Sequence, residues 1–171
     1  MDLVLREMRN WPTVTTRLQS AITSETAESM AALGDELELL VVDTGEVSES
    51  FLDTAREALG STRFLSRADS WRLPRFLFNN YETLSEHQRQ GLRSILVASF
   101  GKFSDWLGSF CVAELLAEKN GDDEALASLL GWFQSSVDTE RECGKHGLQI
   151  LAREGRDPLV RQAAERALVG R

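Results

Sequence analysis

The chain has 171 residues, of which 42% are hydrophobic and 27% are charged. This composition can bury a core and argues against disorder, and one domain is the default expectation at this length. Asp and Glu outnumber Lys and Arg by 27 to 19, so the formal net charge is −8. Since nucleic-acid binding depends largely on basic side chains that neutralise phosphates, this charge argues against a nucleic-acid partner and favours a cationic one.

The cysteine content and the N-terminus indicate a cytoplasmic protein. Cys111 and Cys143 are too few for the disulfide framework of a small secreted domain, so we expect both thiols to be buried and reduced. Residues 1–7 contain an early acid and only three consecutive apolar residues, unlike a signal peptide. No segment approaches the roughly 18 apolar residues of a membrane span, so we expect no membrane partner.

In the first half of the chain, the sequence signals for helices differ in strength from one segment to the next. Apolar residues recur at helical spacing and no strictly alternating segment indicates a strand, so we predict an all-α fold of about seven to nine helices. One helix is predicted over residues 24–42, and another over residues 48–59 that ends at Gly60. Residues 61–84 are rich in aromatic and apolar side chains, and we predict one short helix there after Pro74.

The second half has stronger signals for helix ends. Ser85 and Gln88 match a capping box that begins a helix. Residues 105–119 are apolar on nearly all sides, as expected of a helix inside a stack, and Gly108 would allow a close neighbour. Three aspartates are predicted to cap the helices that follow, namely Asp122, Asp138 and Asp157, the last with Pro158 at the first helical position.

The spacing of these helices indicates a short repeat. Helix starts near residues 105, 122, 138 and 157 place alternate helices 33 and 35 residues apart, which is typical of stacked helical hairpins. Residues 157–168 resemble the Asp-Pro-x-Val-Arg-x-x-Ala-Ala-x-x-Leu pattern of HEAT-type helical repeats. The resemblance covers about 105–169, although residues 122–124 read Asp-Asp-Glu rather than Asp-Pro. It implies HEAT-like hairpins in 85–171, degenerate or capping helices in 1–84, and a curved stack that binds a macromolecule.

The sequence contains no catalytic or metal-binding motif, so we predict a protein that is not an enzyme and has no cofactor. It lacks a nucleophile elbow and a phosphate-binding loop. Cys143 and His146 share a helical face, but the second pair that a structural zinc site requires is missing. An enzyme built from scattered acidic residues is a further class, and it would show a deep pocket lined by carboxylates of raised pKa.

The most informative candidate surface lies on the helix predicted over residues 24–42. Leu39 stands among carboxylates on the side opposite the apolar stripe, a pattern that suits the docking of a basic protein. In the alternative, Leu39 and Val42 pack under the next segment and the acids only solvate the surface. The candidate partner-binding residues are Glu25, Glu28, Asp35, Glu36, Glu38, Leu39 and Asp43.

These observations predict a protein-binding module with a basic protein partner. A small, acidic, helical-repeat protein resembles the bacterial immunity proteins that block cationic toxins, often nucleases. The alternative is a scaffold or regulatory subunit of a larger assembly, including an inhibitor encoded by a phage.

Overall fold

The computed structural model describes residues 9–170, and within that range it contains ten α-helices and no strand. The prediction of an all-α fold is confirmed. Residues 1–7, on which the expectation against a signal peptide rests, lie outside the described residues. The chain divides into two compact units, Met1–Gly108 and Ser109–Arg171. A single domain and a HEAT-like stack remain predictions.

Six α-helices build the first unit. They are α1 (Trp11–Thr23), α2 (Met30–Thr44), α3 (Glu49–Gly60), α4 (Thr62–Leu65), α5 (Arg72–Asn79) and α6 (Glu86–Ser99), with a 3₁₀ turn at Tyr81–Thr83. Helix α1 packs against α2, α3 and α4, while α3 also contacts α6 and α2 also contacts α5. Large apolar side chains, among them Leu18, Leu37, Phe51 and Phe64, are fully buried between these helices.

The predicted ends of α3 and α6 agree with the structure. Helix α3 follows Ser48 and ends at Gly60. At the start of α6, Ser85 Oγ accepts from the Gln88 N–H at 3.2 Å and Gln88 Oε1 accepts from the Ser85 N–H at 2.9 Å. The capping box therefore forms as expected.

Helices α1 and α4 are absent from the sequence prediction. The start signal of α1 is nevertheless present, because Asn10 Oδ1 accepts from the Thr13 N–H at 2.9 Å and Pro12 lies in the first turn. In the 61–84 region, α5 begins at Arg72, two residues before Pro74 rather than after it. A proline is tolerated there because the first-turn N–H groups have no intrahelical acceptor.

Helix α2 begins six residues later than predicted, which changes the candidate surface. Residues 24–29 are not helical. Ser29 is the N-cap, and its Oγ accepts from the Ala31 N–H at 3.1 Å. The helix ends at Thr44, followed by Gly45 with φ +73° in the left-handed region that glycine adopts without strain. Consequently Glu25 and Glu28 precede the helix.

The second unit contains three complete helices and the end of another. The division between the units falls within α7 (Trp106–Glu114), which continues into a π-helical segment (Leu115–Asn120). Helices α8 (Asp123–Phe133), α9 (Asp138–Glu154) and α10 (Pro158–Val169) follow. Helix α9 packs against α8, α10 and the π-helical segment, so it forms the centre of this unit.

Two of the three predicted aspartate caps are confirmed. Asp122 Oδ1 accepts from the Ala125 N–H at 3.0 Å, and Asp157 Oδ1 accepts from the Leu159 N–H at 2.7 Å. The prediction for Asp138 is wrong, since Val137 is the N-cap and Asp138 is the first helical residue, ion-paired with Arg141. An acid in the first turn still stabilises the helix through its dipole. An aspartate near a helix start therefore does not by itself distinguish the N-cap from the first helical residue.

Close contact between α8 and α9 depends on two glycines of α9. A Cβ atom added at Gly144 would lie 2.4 Å from the backbone nitrogen of Phe133, and one added at Gly147 would lie 2.3 Å from Leu129 Cδ2. Real Cβ atoms do not approach other atoms so closely, so the Gly144-x-x-Gly147 pattern has a packing role.

Replacing Gly144 with alanine is expected to lower the free energy of unfolding by about 1–3 kcal/mol, because the new methyl group overpacks the α8–α9 contact. Urea unfolding followed by circular dichroism measures the change. Gly131→Ala is the matched control, since a Cβ atom there meets nothing within 4 Å. That control is expected to gain about 0.5–1 kcal/mol from helix propensity. A Gly144→Ala protein as stable as the unmodified chain would contradict this account of the contact.

Candidate protein-binding surface

The predicted partner-binding residues occupy three different settings. Glu25 and Glu28 lie in the loop between α1 and α2, whereas Glu36 and Glu38 are half-buried on α2. The remaining residues, Asp35, Leu39 and Asp43, are exposed on α2. The structure therefore separates acids that contact the protein itself from acids that face solvent.

Arg17 of α1 holds two of the predicted acids. Its Nη1 pairs with Glu36 Oε2. Its Nη2 lies 2.7 Å from Glu28 Oε2, an ion pair without the alignment of a hydrogen bond. Only 20% of the Arg17 side chain is exposed, so this cation is well shielded from water. Glu28 and Glu36 thus neutralise Arg17 and join the loop and α2 to α1.

Glu38 and Glu25 also have partners within the first unit. Glu38 Oε1 accepts from Asn80 Nδ2 at 3.2 Å, which links α2 to the residue after α5. Glu25 Oε1 lies 3.9 Å from Arg63 Nη2, a weak contact because both side chains are mostly exposed. The hydrogen bond of Glu38 therefore helps to hold α2 in place, whereas the Glu25 contact adds little to the stability of the unit.

A clamp made by Arg67 and Asp69 fixes the start of α2. Asp69 Oδ2 accepts from the Met30 N–H at 3.1 Å, and Asp69 Oδ1 accepts from Arg67 Nε at 3.0 Å. Arg67 Nη2 also donates to the Glu28 carbonyl oxygen at 3.2 Å. Burial of Asp69 disfavours its charged form, but the hydrogen bonds from Arg67 and Met30 outweigh burial and hold the pKa of Asp69 below its ordinary value.

The outward residues of α2 form what we call the outer strip, namely Asp35, Leu39, Val42 and Asp43. Leu39 is 43% exposed and Val42 is 79% exposed. Within the described residues, neither Asp35 nor Asp43 takes part in an ion pair or a side-chain hydrogen bond. Asp35 and Asp43 are eight positions apart in the sequence, which corresponds to about 12 Å along a helix axis. Two unpaired acids therefore flank an exposed apolar pair.

The end of α2 adds to this negative field. No basic residue lies in its last turn, where a cation would compensate the helix dipole. Glu46, just beyond the helix, is exposed as well. Neither Glu46 nor Val42 is among the partner-binding residues predicted from the sequence. The signal for Val42 is its spacing of three residues from Leu39, and the prediction of Val41 in the apolar stripe agrees with the structure.

The exposure of Leu39 and Val42 contradicts the alternative in which both pack under the next segment. Glu28, Glu36 and Glu38 do more than solvate the surface, because they contact Arg17 and Asn80 within the first unit. The sequence could not show which acids have internal partners, because Arg17 and Asn80 are distant in the chain.

The two cysteines and His146, which the sequence offers as candidate reactive or metal-binding residues, are packed within the second unit. Cys111 and Cys143 are buried and are not joined by a disulfide, as expected. Burial, with the nearby Glu140 and Glu142 charges, raises the pKa of the Cys143 thiol to about 11, so it is a poor nucleophile at neutral pH. The His146 ring stacks on Phe110 with centroids 4.3 Å apart, and its Nε2 lies 3.3 Å from Glu114 Oε1.

A metal centre, a pocket and a membrane-spanning helix are the other types of site that the described residues could hold. Among residues 9–170, no three His, Cys, Asp or Glu side chains are grouped so as to hold a metal ion. An open depression of about 600 Å³ lies beside the start of α2, and two of its lining residues, Arg67 and Asp69, already pair with each other. None of the described helices is both long and apolar enough to cross a membrane.

Comparison of the chain with protein-family models, with curated proteins and with solved structures gives no match. The fold and the surface thus define an all-helical protein with an acidic and apolar strip on one helix. Its functional assignment depends on the chemistry of that strip.

Removing the charge of Glu36 is expected to cost stability, whereas removing that of Asp35 is not. Glu36→Gln leaves the shielded Arg17 with one carboxylate, which should lower the free energy of unfolding by about 1 kcal/mol. Asp35→Asn removes a charge without a partner, so its effect should stay within about 0.5 kcal/mol. Urea unfolding of both variants tests the distinction, and an equal loss in the two would show that Arg17 does not depend on Glu36.

The Asp69 clamp predicts a specific pH dependence. Because the pKa of Asp69 is lowered on folding, its charge stabilises the folded state above the unfolded pKa of about 4, and this contribution disappears as the pH falls through the folded pKa. Asp69→Asn should therefore lower the free energy of unfolding by about 1 kcal/mol at pH 7. The difference from the unmodified chain should vanish at the acidic end of a pH series of unfolding curves, and a constant difference would contradict the clamp.

Proposed function

We propose that this chain is a non-enzymatic protein-binding module that neutralises a basic partner through the outer strip of α2. In this proposal it acts in the cytoplasm as an immunity or inhibitor protein of bacterial type that covers a cationic toxin such as a nuclease. The observation that carries the proposal is the pair of unpaired carboxylates, Asp35 and Asp43, on either side of the exposed Leu39 and Val42.

The charge pattern around the strip supports this proposal. Residues 25–49 contain eight acidic side chains and no Lys or Arg. An unbalanced field of this kind accelerates encounters with a cationic protein, mostly at low salt. The acids alone would give a weak contact, because exposed ion pairs contribute about 0–1 kcal/mol each. Leu39 and Val42 supply the apolar area that a specific contact requires.

The second candidate is a scaffold or regulatory subunit of a larger assembly, including an inhibitor encoded by a phage. It is favoured by exposed apolar side chains on α10 of the second unit, where Leu159 is 73% exposed and Val169 is 83% exposed. Such residues would offer another contact surface in an assembly. A toxin gene beside the coding sequence would favour immunity, whereas neighbouring genes for enzymes would favour a subunit.

The test uses a panel of purified basic toxins, nuclease domains among them, and measures association rates at low and at physiological salt. At least one toxin should bind, and its association rate should fall as salt rises. Reversing both strip charges, with Asp35→Lys and Asp43→Lys, should slow association by about tenfold or more.

Glu142→Lys with Glu165→Lys provides the matched control, since it makes the same change in net charge at exposed acids of the second unit. An equal loss of rate in the two double variants would show that net charge, rather than the strip, governs binding. A panel in which no basic protein associates, even at low salt, would contradict the proposed function.

A further inference from the structure

The charges on the outer strip restrict what can cover its apolar pair. A second copy packed through the same face would bring Asp35 and Asp43 against the same carboxylates, and a membrane surface of anionic lipids would repel them equally. A cationic polypeptide is the cover whose charge complements the strip. The molecule that covers the outer strip must therefore supply both positive side chains and apolar area.

The architecture also restricts the conformation of that polypeptide. Addition of a strand requires an exposed sheet edge, and residues 9–170 contain no strand. Proline-rich segments bind grooves lined by aromatic side chains, while the strip consists of aspartate, leucine and valine. Leu39 and Val42, three residues apart, form a ridge of the kind that packs between the side-chain rows of a second helix.

Spacing along the axis agrees with a helical occupant. Asp35 and Asp43 are about 12 Å apart along α2, and two side chains separated by two turns of a helix are about 11 Å apart. Basic residues two turns apart on a facing helix can therefore reach both carboxylates at once. Along α2, Leu39 lies about 6 Å and Val42 about 10.5 Å from the level of Asp35, so apolar residues between the two basic residues of that helix would meet them.

Helix α2 is held in place for such a contact. Its start is clamped by Arg67 and Asp69, and its sides are tied to α1 through Glu36 and to Asn80 through Glu38. A surface that is already ordered loses little conformational entropy on binding. The acids with structural partners thus support the strip, and the free acids are available to the ligand.

We propose that the outer strip binds an amphipathic basic helix of the partner, with Arg or Lys side chains two turns apart on Asp35 and Asp43 and apolar side chains between them on Leu39 and Val42. This inference rests on the proposed function, which requires only a basic partner of unspecified structure. It specifies a helix as the part of the partner that makes contact, and it assigns charge pairing to the two aspartates and apolar contact to Leu39 and Val42.

Two synthetic helical peptides of identical composition test the inference against the intact chain. The matched peptide has arginines two turns apart and two leucines between them on the same face. Its isomer has the leucines moved to the opposite face, so its charge and helix content are unchanged. Isothermal titration calorimetry at low and at physiological salt measures both affinities.

The matched peptide should bind about tenfold more tightly than its isomer, because only the matched peptide buries the apolar pair. Leu39→Ser with Val42→Ser should remove that difference, while Asp35→Asn with Asp43→Asn should weaken both peptides by about fivefold. Glu57→Gln, at an exposed acid of α3, is the control and should change neither affinity.

The outcomes separate this inference from the proposed function. Equal binding of the two peptides at low salt would overturn the helical occupant and leave a basic partner in place. Preference for the matched peptide that survives Leu39→Ser with Val42→Ser would also overturn it, because the preference would arise elsewhere. If neither peptide binds while a basic toxin does, the helix inference fails alone, and if the toxin panel also gives no association, both fail.

Discussion

The candidate surface depends on the shielding of one cation, Arg17, by two acids that come from other parts of the chain. Glu28 lies in the loop before α2 and Glu36 lies on α2, so their contacts with Arg17 join both segments to α1. A shielded guanidinium without these partners would be costly, because its charge would lack compensation. Together with the buried apolar side chains of α2, these contacts fix which side of the helix faces inward. The positions of Asp35, Leu39 and Asp43 on the outward side follow from it by helical geometry.

The elements that could be predicted from the sequence are those whose ends are encoded locally. The capping box of Ser85 and Gln88, the Asp157-Pro158 start of α10 and the Gly60 end of α3 each use residues within one turn of the helix end. These signals act within the helix itself, so they do not depend on what packs against it. The all-α class follows from the same property, because helical periodicity is also a local feature.

The errors concern positions where two local choices have similar energies and tertiary contacts decide between them. Residues 24–29 contain two serines that could cap α2, and Ser29 is selected where Asp69 accepts from the N–H of Met30, 39 residues away in the sequence. The same holds for the acids of the candidate site. Glu36 and Asp35 are adjacent and chemically similar, yet only Glu36 reaches Arg17. The apolar stripe of α2 places Asp35 on the opposite side and Glu36 nearer the stripe, but only the packing of α2 against α1 shows that Glu36 meets Arg17.

An acidic sequence is therefore a poor guide to an acidic binding surface until the internal partners of the acids are known. Residues 25–49 contain no basic residue, so the internal partners of their acids must come from other segments: Arg17 and Arg63 provide positive charge, and Asn80 donates a hydrogen bond. The free charge at Asp35 and Asp43 is what remains after those contacts are made. It coincides with two apolar side chains that folding leaves in water and with a helix end that has no compensating cation. Each of these features is locally unfavourable, and such departures from local stability are expected where a surface is used for binding. Their combination on one helix is a stronger reason to assign binding to α2 than the net charge of the chain.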